Sequence, residues 1–166
     1  MWRHIILSGV LAGILSGRAG AQTPVLLRFE DMKSRFAVSQ AFKGATTRLG
    51  RRECQDVLSE FTDEIGRSLS AKLAAAGSTP VEVFNSLRFL DDRGAPQCRG
   101  GARLAFTQRG SQLIRVCGQH FTEWFTRHPE TTEIILIHEF LHTLGLAENP
   151  PTSEAITERV ARRCGG

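Results

Sequence analysis

Two histidines and a glutamate lie inside a stretch that is otherwise apolar, and few structures accommodate that combination. Residues 131–148 read TTEIILIHEFLHTLGLAE. Ile134, Ile135, Leu136, Ile137, Phe140, Leu141 and Leu144 make the stretch apolar nearly all round, as a buried helix should be. Pro129 suits a first helical turn, where a missing N–H costs nothing, and Glu130 and Glu133 suit the positive end of the helix dipole. Gly145 is the residue type that closes a helix in a left-handed conformation. His138, Glu139 and His142 inside such a helix need partners, because unpaired buried polar groups are costly. A metal ion satisfies all three.

The spacing HExxH supports that chemistry. Helical positions i and i+4 share a face one turn apart, so the imidazoles of His138 and His142 can reach a single tetrahedral zinc at about 2.0–2.1 Å each. Glu139 is offset from the pair but near the metal, where a carboxylate can take a proton from water whose pKa zinc lowers to about 7. Two ligands and a general base thus come from under two turns of helix.

Written out, His138-Glu139-Phe140-Leu141-His142-Thr143-Leu144-Gly145-Leu146-Ala147-Glu148 resembles the metzincin pattern HExxHxxGxxH of the zincin metallopeptidases, with Glu148 where a third histidine would stand. The resemblance covers about eighteen residues. It implies His138 and His142 as zinc ligands and Glu139 as the base. The chain departs from the pattern at the third ligand and in having no methionine after the motif, so the Met-turn of metzincins is absent. Three glutamates compete for the third position. Glu148 has the metzincin spacing, and a tight turn at Gly145 would bring it back beneath the metal. Glu154 and Glu158 offer the gluzincin geometry, in which a second helix supplies the carboxylate.

Residues 1–21 read as a signal peptide. Arg3 and His4 precede an apolar run over 5–15, and Ala19-Gly20-Ala21 has the form of a signal-peptidase site. The run is shorter than the roughly 20 residues needed to span a bilayer. Residues 22–166 then form a single domain, secreted or periplasmic, with no stable membrane span. Without Arg3 and Arg18, the 21 basic residues fall to 19 against 17 acidic ones, a charge of about +2. No basic stripe with interleaved aromatics appears, which argues against a nucleic-acid partner. The four cysteines, Cys54, Cys98, Cys117 and Cys164, form no CxxC pair and read as two disulfides in an exported chain. Three connectivities are possible. The preferred one joins Cys98 to Cys117 across a hairpin and Cys54 to Cys164 between early and late helices.

The rest of the chain indicates an α+β fold. VLLRF at 25–29 suits a strand, and SRFAVSQAF at 34–42 suits a strand or a helix. Cys54, Val57, Leu58, Phe61, Ile65, Leu69 and Leu73 recur at helical spacing, which predicts a long amphipathic helix across 51–77. Thr79-Pro80-Val81-Glu82 fits a capping box opening a short helix. LRFLDD at 87–92 reads as a short strand. ARLAFT and SQLIRVCG read as a β-hairpin immediately before the active helix. In zincins an edge strand lies along the cleft and pairs with extended substrate; the resemblance suggests 112–118 for that role. After Pro150 and Pro151, Thr152 or Ser153 can cap a last helix with Glu154, Ile156, Val160 and Cys164 on or near its inner face. The expected whole is a small zincin-like domain with a long N-terminal helix, a short sheet, an active-site helix and a C-terminal helix.

A complete site of this kind would hydrolyse peptide bonds, as an exported zinc endopeptidase acting on protein or peptide substrates. The chain has no tyrosine. A second group on the oxyanion would have to be His120, His128 or an arginine. The alternative is a catalytically silent module that zinc stabilises and that binds a partner. Retention of Glu139 favours the enzyme, because a structural site needs ligands but no base.

Overall fold

The computed structural model describes residues 26–166. The signal peptide expected at 1–21 lies outside the described residues. A helix over Met32–Leu49 (α1) starts at Asp31, whose carboxylate accepts from the Ser34 N–H at 2.8 Å and from its hydroxyl at 2.7 Å. Its buried residues Ala37, Val38, Ala41, Ala45 and Leu49 recur every three to four positions. The small side chains let a second helix, Pro129–Thr143 (α6), approach closely. A methyl group on Gly44 would fall 2.2 Å from the Glu133 carboxyl of that helix. Arg48 ties the two together, its Nε donating to Glu133 Oε2 at 2.5 Å. The segment 34–42, open between strand and helix in the sequence, is therefore helical.

The long helix of the domain is α1, and the one expected across 51–77 is broken. Arg52–Gln55 (α2) runs into a 3-10 turn at Asp56–Ser59, and a helix resumes only at Leu69–Ala75 (α3). Asp63 causes the break. Its carboxylate accepts from the N–H groups of Ile65 at 3.1 Å and Arg67 at 3.0 Å, and Arg67 adds its guanidinium. Side-chain bonds of this kind offer the backbone an alternative to the helix. Ser68 then caps α3 by accepting from Ala71 N–H. The apolar positions are buried as periodicity requires, except Ile65, which is 75% exposed at the turn. Pro80–Asn85 (α4) carries the expected reciprocal capping box between Thr79 and Glu82.

Among the described residues, four short strands form one sheet: Leu26–Arg28 (β1), Arg88–Asp91 (β2), Ala105–Thr107 (β3) and Leu113–Val116 (β4), in the order β1-β2-β4-β3. β1, β2 and β4 run parallel, with Phe89 opposite Ile114, and β3 is antiparallel to β4. The hairpin is as expected, but its second strand is interior. The edge position expected for 112–118 is held instead by β3, because β2, distant in sequence, occupies the other side of β4. The buried side chains Phe89, Ile114, Val116 and Ala105 belong to the same core as α1 and α6. An aromatic cluster anchors α6, with Phe140 edge-on to Phe84 at 5.5 Å and Phe84 stacked on Phe42 at 4.9 Å.

A helix not anticipated from the sequence, Gly118–Arg127 (α5), separates β4 from α6. It buries Phe121, and its Thr122 meets Ser34 of α1 at 3.2 Å. The last helix, Ser153–Cys164 (α7), is capped by Thr152 and turns Ile156, Val160 and Cys164 inward, whereas Glu154 and Glu158 are exposed. Both preferred disulfides are present. Cys98–Cys117 clips the loop after β2 to the start of α5, and Cys54–Cys164 joins α2 to the end of α7. Among the described residues, no helix is long and apolar enough to cross a membrane. The architecture is a small α+β domain.

Candidate metal centre

The site is assembled by α6 and by the way that helix ends. Gly145 has φ +109°, outside the range comfortable for a residue with a Cβ. Its N–H donates to His142 C=O at 3.0 Å, and Leu146 N–H donates to Leu141 C=O at 3.1 Å. These two bonds are the Schellman closure of a helix. Gly110 from the hairpin turn also donates to His142 C=O, and Lys72 Nζ donates to Leu144 C=O at 2.7 Å. The reversal places the Leu146 carbonyl 2.9 Å from His142 Nδ1 and carries Glu148 back towards both imidazoles.

His138 and His142 are 3% and 8% exposed, and their Nε2 atoms lie 3.0 Å apart. Glu148 Oε1 is 3.7 Å from the first and 3.6 Å from the second. A tetrahedral ion at 2.0–2.1 Å from its ligands holds neighbouring ligand atoms roughly 3.3–3.4 Å apart. The observed separations bracket that value, so His138, His142 and Glu148 could hold a metal ion with small adjustments. Three protein donors would leave a fourth tetrahedral position for another ligand. Of the rival glutamates, Glu154 lines the outer cleft without joining the three donors, and Glu158 does not line the cleft.

All three donors line a cleft of about 760 Å³, together with Glu139. One wall is residues 101–107, ending in β3; Ile135 of α6, Trp124 of α5 and the 146–148 turn contribute the others. Glu139 is 7% exposed. Burial pushes its carboxyl up to about 8; Arg103 and the Thr107 N–H pull it back, and Glu148 pushes the same way as burial. Burial likewise pushes His138 down to about 4, aided by His142 and opposed by Glu148, which keeps its imidazole neutral with a lone pair to donate. The low pKa on the ligand side and the high one on the carboxyl have the same main cause.

Other candidates lie outside the cleft. His120, on α5, packs near Gly101 with its Nδ1 buried and unpartnered, and His128 joins α5 to α6 with its ring 5.1 Å from Trp124. Neither lines the cleft; Arg103 and Arg109 do, and Arg103 is the one whose charge acts on Glu139 and His138. Sequence reasoning also missed Thr157, whose hydroxyl lies 2.9 Å from His138 Nδ1. Nothing in the local pattern of α7 marks that residue. Comparison of the chain with protein-family models, with curated proteins and with solved structures finds no match.

Proposed function

We propose that the chain is an exported zinc-dependent endopeptidase of the zincin type. The observation that carries the reading is the group His138–His142–Glu148 with Glu139 one residue away, all facing one cleft. Two imidazole groups and one carboxyl group form a ligand set that suits zinc, and an incomplete protein shell is the pattern of catalytic rather than structural zinc. Two disulfides are compatible with the extracellular or periplasmic location that a signal peptide implies.

A zinc ion held there would supply Lewis acidity, polarising the scissile carbonyl and acidifying water. Glu139 takes the proton from the attacking water and returns it to the leaving amine. The positive charge of a bound metal also favours its carboxylate form, opposing the burial that otherwise raises its pKa. Arg103, one of two arginines on the cleft wall and the one whose charge acts on Glu139 and His138, is placed to support the developing oxyanion in a chain without tyrosine. The terminal position of β3 in the sheet supports recognition of extended peptide backbone by strand addition, which confers affinity with little sequence preference.

The lack of tyrosine is also the observation that favours a silent, zinc-stabilised binding module. Zinc content and cleavage of an unstructured protein, measured for the parent and Glu139→Gln, separate the two readings. The peptidase requires one zinc in both proteins and cleavage by the parent alone. Zinc in both with cleavage by neither favours the module, and no zinc in either removes both.

A further inference from the structure

We infer that Thr157 is a positioning residue for the metal centre, its hydroxyl reversing its hydrogen-bond role with His138 when the ion binds. This inference rests on the proposed metal binding by His138, His142 and Glu148, and is independent of whether the protein cleaves peptides.

The hydrogen bonds leave few choices. The Leu146 carbonyl can only accept, so at 2.9 Å it fixes the His142 proton on Nδ1. A neutral His142 then presents a bare lone pair at Nε2, and His138 Nε2 is 3.0 Å away. Two bare lone pairs at that distance repel, so either a proton or a cation stands between them. With a proton, His138 carries its hydrogen on Nε2 and donates to His142, and its Nδ1 accepts from the Thr157 hydroxyl at 2.9 Å. With a cation, both Nε2 atoms turn their lone pairs to the metal. The His138 proton then sits on Nδ1 and donates to the Thr157 oxygen.

Only a group that both donates and accepts serves both arrangements. A carboxylate at this position would accept alone, and a lysine or arginine would donate alone. A hydroxyl does either without a change in charge, so no buried nitrogen of His138 loses its partner when metal enters or leaves. Thr157 is held in place for this. It lies between Ile156 and Val160, both fully buried, on a helix capped at Thr152 and tied through Cys164 to Cys54. Outer-shell partners of this kind typically alter metal affinity by about 10–100-fold.

The test is zinc titration against a competing chelator, on the parent, Thr157→Val and Thr157→Ser, with nitrogen-15 spectra of the histidine rings of the parent. Zinc affinity should fall by about 10–100-fold in Thr157→Val and return to within about threefold of the parent in Thr157→Ser. The parent's His138 proton should move from Nε2 in the chelator-stripped protein to Nδ1 in the zinc-loaded one. Equal affinity in the valine variant, no recovery with serine, or one tautomer in both states overturns the inference. Should the valine variant not fold, the tautomer shift in the parent decides the matter. A parent that binds no zinc overturns the metal reading itself, which is distinguishable because it appears before any variant is made.

Discussion

Replacing Glu139 by glutamine in the zinc-stripped protein probes the electrostatics of the cleft without any substrate. Burial pushes this carboxyl up to about 8 from an ordinary 4.5. Between those values the folded chain keeps a proton that the unfolded chain has lost. The carboxyl's contribution to stability is therefore fully present below about pH 4.5 and is lost as the pH rises to about 8. The loss proceeds at about 1.4 kcal/mol per pH unit, which amounts to about 3 kcal/mol at pH 7. Glutamine does not titrate, so its stability relative to the parent should rise by that amount between pH 4.5 and 7. His138 works in the opposite direction, because its pKa is pushed down to about 4 and its contribution is lost as the pH falls from 6.5. That effect is common to both proteins and cancels in the difference. Urea unfolding at pH 5, 6, 7 and 8 in chelator measures the difference directly. A gap between the proteins that does not change with pH refutes the reasoning. Saturating zinc should flatten it, since a nearby cation favours the carboxylate.

Glu148→Gln should weaken zinc binding by at least tenfold while Glu154→Gln leaves it unchanged, as chelator competition would reveal; equal effects would restore the second-helix geometry for the third ligand. Gly145→Ala should cost about 1–3 kcal/mol, because φ is +109° and the new methyl would meet Asp63 Cβ and Lys72 Nζ at 3.3 Å. A thermal midpoint unchanged from the parent would argue against the strained turn. Removing the Cys54–Cys164 bond with paired serines should cost about 2–5 kcal/mol, read from denaturant unfolding, since the bond spans 110 residues of chain. Arg103→Ala should lower kcat roughly 10- to 100-fold with zinc content preserved. Loss of zinc in that variant would instead give Arg103 a structural role.

The sequence was most legible where one short segment carries the whole signal. The 131–148 stretch displays an apolar helix, its glycine stop and the HExxH spacing within eighteen residues, and α6 forms as those local rules require. The capping box at Thr79 and Glu82 was equally plain, because it is a contact between near neighbours. Periodicity identified which residues of 51–77 are buried but not how the backbone reaches them. Asp63 and Ser68 redirect the chain, and six of the seven apolar side chains still reach the core. Helical spacing records which side chains face inward, and a broken path can satisfy it as well as a continuous helix.

The candidate metal site divides along the same line. His138, His142 and Glu139 follow from sequence alone, since the pitch of a helix sets their relative positions. Among three glutamates, the reversal at Gly145 brought Glu148 alone beside both imidazoles. Which strand borders the cleft depended on β2 pairing with β4 across some two dozen residues, leaving β3 at the edge. Thr157 and Arg103 reach the site from an adjacent helix and from the cleft wall, at separations in sequence that no repeat or spacing encodes. Geometry within one helix is a property of the backbone and can be read from the sequence, whereas contacts between elements depend on how their faces pack, so only the tertiary structure decides them.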